Sequence, residues 1–342
     1  MYVDADTHVF EDASTWSYFD PGEREFAPDE GATSWMVEDF TVSLNARPLT
    51  EEYLTTYPDG TTDLTNIPAR LAHMTEMSVD IQVMFSTFWL MHDLSDPVRE
   101  AAMHRSWNRW MAERTAASGG RLRWLCQAPM RDRDRAREEL EFSKAHGAVG
   151  VETTGMRYGM SLGHQAFWPY YELLQDMDMT LAIHVGGSNH AYFRHPQAFY
   201  YHHILPVPGA FHNLIAMDVP KRFPQLRIAF CEAGGSWVPH ALSEKFRTND
   251  RASARVWGDW RAAAREYLAD SSLYVSLLLD DDMGYLADYI GDDRIMIGSD
   301  YSHIDAGTDP DALRIAAKRT DLKPDVMAKL LDENARRCYG ID

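Results

Sequence analysis

A single (β/α)8 barrel is the fold that this sequence predicts, on three observations. Eight short apolar runs rich in β-branched residues punctuate the 342 residues. Helical patterns of roughly ten to twenty residues separate most of them. The runs IQVMF, TLAIHV, RIAF and RIMIG are continuously apolar, as a parallel strand covered on both faces requires, whereas a half-buried antiparallel strand would alternate. A minimal barrel takes about 250 residues, so the rest must lie in insertions.

The expected strands are, in order, Tyr2–His8, Val79–Ser86, Leu122–Pro129, Gly147–Thr154, Met179–Gly187, Arg227–Gly235, Leu273–Leu278 and Arg294–Tyr301. Among the expected helices, Asp132–His146 and Asp309–Arg319 open with acidic residues, which suit the positive end of a helix. The largest insertion, residues 11–67, follows the first strand, shows no sustained period and is expected to cap the barrel mouth. A second irregular stretch, Ser188 to about Pro208, is rich in histidine and aromatic residues and is expected to wall the substrate site after strand five. With no repeat beyond the βα alternation and no linker, residues 1–342 are expected to form one domain.

Composition narrows the function. The chain is 45% hydrophobic and 25% charged, with 52 acidic residues against 33 basic ones and a formal charge of -19. That charge repels a phosphate backbone, so nucleic acid is not an expected partner. The three cysteines, Cys126, Cys231 and Cys338, are too widely spaced for a disulfide scaffold or a paired metal cage. They suggest a reducing, cytoplasmic setting. No stretch approaches the ~20 apolar residues of a membrane span, and the N-terminus MYVDADTH lacks a leader's basic and apolar regions. The expected partners are a small-molecule substrate and a second copy of the chain in a homodimer.

In such a barrel the active site lies at the C-terminal ends of the strands, so polar residues that close apolar runs matter most. Strand one ends Asp4-Ala-Asp6-Thr-His8, where a period of two puts Asp4, Asp6 and His8 on one face, inward in a barrel. Strand five ends at His184, strand six at Glu232 and strand eight at Asp300. Imidazoles and carboxylates converging from several strands suit one divalent ion of the zinc or manganese type. Crowded carboxylates also need a cation or strong donors to stay ionised.

The same residues carry a resemblance. VDADTHVFEDASTW, LAIHVGG, RFPQLRIAFCEAGGSWVPHAL and RIMIGSDYSH, in that order, resemble the amidohydrolase superfamily, in its amidohydrolase-related branch with aminocarboxymuconate-semialdehyde decarboxylase. Leu71–Ser86 and Arg121–Val149 extend the likeness. The resemblance implies metal ligation by Asp6, His8, His184 and Asp300, with Asp300 also catalytic. The pair Asp6-x-His8 departs from the more familiar His-x-His and is similar to the acid-x-His form of hydroxybenzoate-type decarboxylases, which moves preference toward manganese. Glu232 stands where the branch often has a proton-handling histidine, and is either a general acid/base or a further ligand. Glu152 ends strand four, where many two-metal members carry a bridging lysine, so a mononuclear site is expected.

Arg157 and Arg194 are candidates for clamping a substrate carboxylate, and Trp89, His92 and Trp237 for an aromatic pocket. His303 is a candidate for orienting Asp300. The expected function is metal-dependent nonoxidative decarboxylation of an aromatic or muconate-like acid. The alternatives are a hydrolase or hydratase using metal-activated water, and an inactive barrel serving as a binding protein.

Overall fold

The computed structural model describes residues 2–45, 47–187, 200–249, 260–304 and 307–342. All eight expected strands form: β1 (Tyr2–Val9), β2 (Val79–Ser86), β3 (Leu122–Cys126), β4 (Ala148–Thr154), β5 (Thr180–His184), β6 (Ile228–Phe230), β7 (Leu273–Leu277) and β8 (Ile295–Ile297). They lie side by side in chain order, each parallel to the next. The ring closes where β1 meets the end of β8. There Asp300 N donates to Asp6 O at 2.9 Å, His8 N donates to Tyr301 O at 2.7 Å, and Asp4 accepts from both Ser299 N and Ser299 Oγ. Gly298 makes the closure possible, because a Cβ there would lie 2.2 Å from Asp6 Cβ.

Two apolar layers result. One packs strands against the surrounding helices, and helix Pro97–Thr115 with Trp107, Trp110 and Met111 belongs to it. The other fills the barrel with Val3, Ala5, Val83, Phe85, Leu125, Ala182, Ala229, Cys231 and Met296, joined by Cys338 and Tyr339 of the last helix, Asn334–Tyr339. Tyr339 OH donates to Ala5 O, so the C-terminus plugs the end of the barrel opposite the strand termini. The three cysteines are buried free thiols. No described helix is long and apolar enough to cross a membrane.

Two expectations need correction. Asp4 does not share a face with Asp6 and His8: Val3 and Ala5 face the interior, and an irregularity of register between Asp4 and Thr7 resets the alternation, leaving the Asp4 carboxylate on Ser299. The helix expected at Asp309–Arg319 is confined to Ala312–Ala316. Its would-be first turn is drawn back onto β8, with Asp309 N donating to Ser299 O. By contrast, the helix expected at Asp132–His146 forms over Arg133–Ala145, with the Asp132 carboxylate accepting from Arg135 N as its cap.

The region after β1 holds two short 3-10 turns (Ala13–Ser17 and Pro21–Phe26), a hairpin (Ser34–Val37 with Phe40–Ser43) and a helix (Glu51–Thr56). Trp16, Phe19, Trp35 and Val37 anchor it in the outer core. Tyr57 OH donates to His303 O at 2.7 Å, tying this region to the loop after β8.

Candidate metal centre

Five side chains from four strand ends meet at the mouth of the barrel. His8 Nε2 lies 3.4 Å from Asp6 Oδ1, 3.3 Å from Asp300 Oδ1 and 3.2 Å from His184 Nε2. His184 Nε2 lies 3.3 Å from Asp6 Oδ1 and 3.0 Å from Glu232 Oε2. All five are buried or nearly so.

Backbone geometry aims them. His184 continues the inward face of Ala182, as the period of two requires. Glu232 follows the inward-facing Cys231, and a continued strand would turn it outward; instead its φ of 58° swings the carboxylate toward the centre. Asp300 also adopts the left-handed region, at φ 54°. For non-glycine residues that conformation is strained, and such strain gathers at functional sites.

Hydrogen bonds fix the tautomers. A carbonyl oxygen only accepts, so His8 Nδ1 donates to Ser86 O and His184 Nδ1 donates to Val185 O, each at 3.0 Å. In the neutral rings both Nε2 lone pairs then face one central point. Asp6 Oδ1 is buried and accepts no well-formed hydrogen bond. Two facing lone pairs and a bare carboxylate oxygen repel one another unless a cation lies among them. The spacing suits one: ligand atoms about 2.1 Å from an ion stand about 3.0–3.4 Å apart in octahedral or tetrahedral geometry. The residues therefore fit a divalent metal.

Without an ion among these groups, the carboxylates draw the missing positive charge onto His184 as a proton. Burial raises the Asp6 carboxyl, yet His184 and His8 outweigh it and hold Asp6 well below the usual carboxylate range. Burial opposes charge on His184, but Asp6 and Glu232 together lift it well above the ordinary histidine value. Burial and the nearby His303 push His8 down to about 4. Glu232 is pushed up to about 7, by burial first and then by the Asp300 charge. His303 stacks on His8 at 4.0 Å and places Nδ1 2.7 Å from Asp300 Oδ1, while Thr308 Oγ1 donates to Asp300 Oδ2.

A cavity of about 330 Å³ opens beside these groups, lined by Phe10, Pro48, Thr87, Leu90, Met91, His203, Glu232, His303 and Ile304. Of these, Glu232 and His303 are expected at the site from the sequence, and His203 belongs to the long loop after β5 that is expected to wall it; the others carry no such expectation. They come from loops without period, and only the abundance of histidine around residue 203 carried any signal. Arg157 is not on this wall: it is 4% exposed, 2.9 Å from Asp93 Oδ1 and 3.8 Å from Glu100 Oε1. Trp89 is buried against Phe88 and His104, and Trp237 packs on Phe211 and Phe230. His92 stacks on Phe40. Arg194 and residues 188–199 of the long loop lie outside the described residues.

Comparison with known proteins agrees with this architecture. No curated protein matches the chain. The amidohydrolase map2389c from Mycobacterium avium subsp. paratuberculosis K-10 is similar in structure, with a TM-score of 0.77 at 18% identity over 100% of this chain and 98% of that one. A dihydroxybenzoic acid decarboxylase from Polaromonas sp. JS666, solved with manganese and the inhibitor 2-nitroresorcinol, gives 0.66 at 17% identity over 99% and 97%. The 2,6-dihydroxybenzoate decarboxylase from Rhizobium gives 0.65 at 17% over 100% and 99%. At such identities these structures speak for the fold. The family model Amidohydrolase matches residues 71–341, which sets aside the inactive barrel: the chain belongs to the amidohydrolase family of metal-dependent enzymes.

Proposed function

We propose that the protein is a nonoxidative decarboxylase of a small aromatic carboxylic acid, working with one divalent metal held by Asp6, His8, His184 and Asp300. The observation that carries this reading is the convergence of two Nε2 lone pairs and the bare Asp6 oxygen beside a protonatable Glu232 at the wall of a largely apolar cavity. Carboxylates at two of the four ligand positions, Asp6 and Asp300, favour a hard ion, manganese over zinc. Bound there, the ion supplies a positive charge that fixes the substrate's carboxylate and draws electron density from the ring.

The chain's own groups do the rest. Phe10, Leu90 and Met91 offer apolar walls for a flat ring and exclude water. Arg157 is paired with Asp93 and Glu100, away from the cavity wall. Burial and the neighbouring Asp300 charge favour the protonated form of Glu232. Glu232 delivers that proton to the ring carbon as the carbon–carbon bond breaks. The bonding pair stays on the ring, carbon dioxide leaves, and solvent reprotonates Glu232. The manganese and the dihydroxybenzoate named for the structural neighbours support this reading.

The test takes protein loaded with manganese, after elemental analysis has established about one ion per chain, and a panel of benzoates and hydroxybenzoates. Turnover in heavy water is expected to leave one carbon-bound deuterium in the product, and water carrying oxygen-18 is expected to leave no label. Oxygen-18 in the organic product without release of carbon dioxide would replace this reading with a hydrolase using the same centre.

A further inference from the structure

The Ser86 peptide, at the end of β2, is held by two buried carboxylates that belong to neither the metal set nor the cavity wall. Glu152, from β4, accepts from Ser86 N at 2.7 Å through Oε2 and from Ser86 Oγ at 2.8 Å through Oε1. Ser86 Oγ in turn accepts from Trp89 N. Glu11, just beyond β1, accepts from Thr87 N at 3.2 Å and from Phe88 N at 3.1 Å, and also from Trp107 Nε1. Three successive backbone N–H groups, of residues 86, 87 and 88, thus end on carboxylate oxygens from two other parts of the chain.

The peptide between Ser86 and Thr87 is the one that matters. Its N–H donates to Glu11, and its carbonyl accepts from His8 Nδ1. A peptide is rigid and planar, so fixing its N–H end and the Ser86 side chain also fixes the direction of the carbonyl. That carbonyl decides which nitrogen of His8 carries the proton and how the ring is turned. A ligating histidine commonly donates its other N–H to a carboxylate or a carbonyl, which sets its orientation and basicity. Here a peptide stands between ring and carboxylate, and hydrogen bonds in such a chain polarise one another.

We infer that Glu152, with Glu11 as its counterpart, is a positioning residue for the metal centre: Glu152 clamps the N–H and hydroxyl of Ser86, Glu11 holds the N–H of the peptide that follows, and the carbonyl fixed between them holds His8 with Nε2 aimed at the ion. Glu152 pairs in register with the inward-facing Ala182, so its carboxylate lies within the barrel, where it reaches across to Ser86. A brace of this kind acts on metal affinity, and it acts in the folded protein. The inference rests on the metal site proposed above.

The experiment measures manganese affinity from the electron paramagnetic resonance signal of the free aquo ion, and the melting temperature of the metal-free protein, for wild type, Glu152→Gln and Ser86→Ala. Gln keeps the shape of Glu152 but presents an NH2 to one of the two donors that the carboxylate accepts. It is expected to weaken manganese binding about 10–100-fold well below the melting temperature, the usual effect of removing a group that orients a metal ligand. Ser86→Ala loses one of the two bonds to Glu152 and keeps the carbonyl, so its loss is expected to be smaller, about severalfold. Glu152→Gln that melts lower but binds as wild type would overturn the inference, since a merely structural role gives that result. If Glu152→Gln does not fold, Ser86→Ala decides: weakened binding supports the clamp, and unchanged binding overturns it. Wild-type protein that takes up no manganese would overturn the proposed metal site and the clamp with it, whereas binding by wild type with both variants unchanged overturns the clamp alone.

Discussion

Gly298→Ala should cost the protein its metal before it costs the protein its fold. The added Cβ would lie 2.2 Å from Asp6 Cβ and 3.0 Å from both Asp6 Cα and Asp6 N. Ordinary van der Waals contact begins at 3.4 Å, so β1 and β8 must part by roughly 1 Å, and the nearest atoms include backbone that cannot rotate away. Overpacking of this kind costs about 1–3 kcal/mol, or a few degrees of melting temperature in a chain of this size. The metal centre is less tolerant: ligand distances hold to about ±0.2 Å, and the displaced segment carries Asp6 on one side and Asp300 on the other. Manganese affinity should therefore fall at least tenfold. Gly163→Ala is the control, because its Cβ would meet Asn213 Oδ1 at 2.1 Å and Asn213 O at 2.8 Å, on the outer helix Pro206–Ala216 and away from the ligand-bearing strand ends. It should lower the melting temperature comparably and leave metal affinity within about twofold. Titration of manganese into both variants, beside their thermal melts, decides the matter. Gly298→Ala that binds metal as wild type does, or Gly163→Ala that loses it equally, would refute the reasoning.

Two further outcomes are expected. Glu232→Gln keeps shape and hydrogen bonding but removes the titrating proton, so turnover should fall about 10²–10⁴-fold with metal content nearly unchanged; loss of metal without loss of rate in the loaded fraction would make Glu232 a ligand instead. His104 is buried against Trp89, neither ring nitrogen has a hydrogen-bond partner among the described residues, and burial, aided by Arg157 and Arg131, holds it well below the ordinary histidine value. The unfolded chain takes up that proton near pH 6.5 while the folded one resists it, so stability should fall as pH drops below about 6.5, by up to about 1.4 kcal/mol per unit. His104→Phe should flatten this slope in denaturant titrations between pH 6.5 and 5, and an unchanged slope would count against it.

The eight strands were legible because a parallel barrel strand buried on both sides must be apolar throughout, and every such run formed a strand. The convergence of Asp6, His8, His184, Glu232 and Asp300 was legible for a related reason: a strand end is where an apolar run meets its first polar residue, and a barrel sends those ends to one place. Asp4 shows the limit of period counting, since one register irregularity in β1 undid it. Thr87, Leu90, Met91 and Ile304 were beyond reach because loops carry no period and their positions depend on contacts distant in sequence. Arg157 had the right chemistry for a clamp, but its pairing with Asp93 and Glu100 is a tertiary fact. The bracing of Ser86 by Glu152 likewise joins residues 66 positions apart.

The seam at Gly298 also bears on the order in which the protein comes together. Asp6 and His8 are synthesised well before Asp300, and the hydrogen bonds joining Asp4 to Ser299 span 295 positions. Closing so long a loop carries a large entropy cost, and contacts of such separation form late in folding. The complete ligand set cannot assemble on a nascent chain until its last strand has emerged, so an ion that requires all of it would be captured only by a finished barrel. Once held, the ion would act as a latch between the two ends of the chain, because any ligand that binds only the folded form adds to its stability as ligand concentration exceeds the dissociation constant.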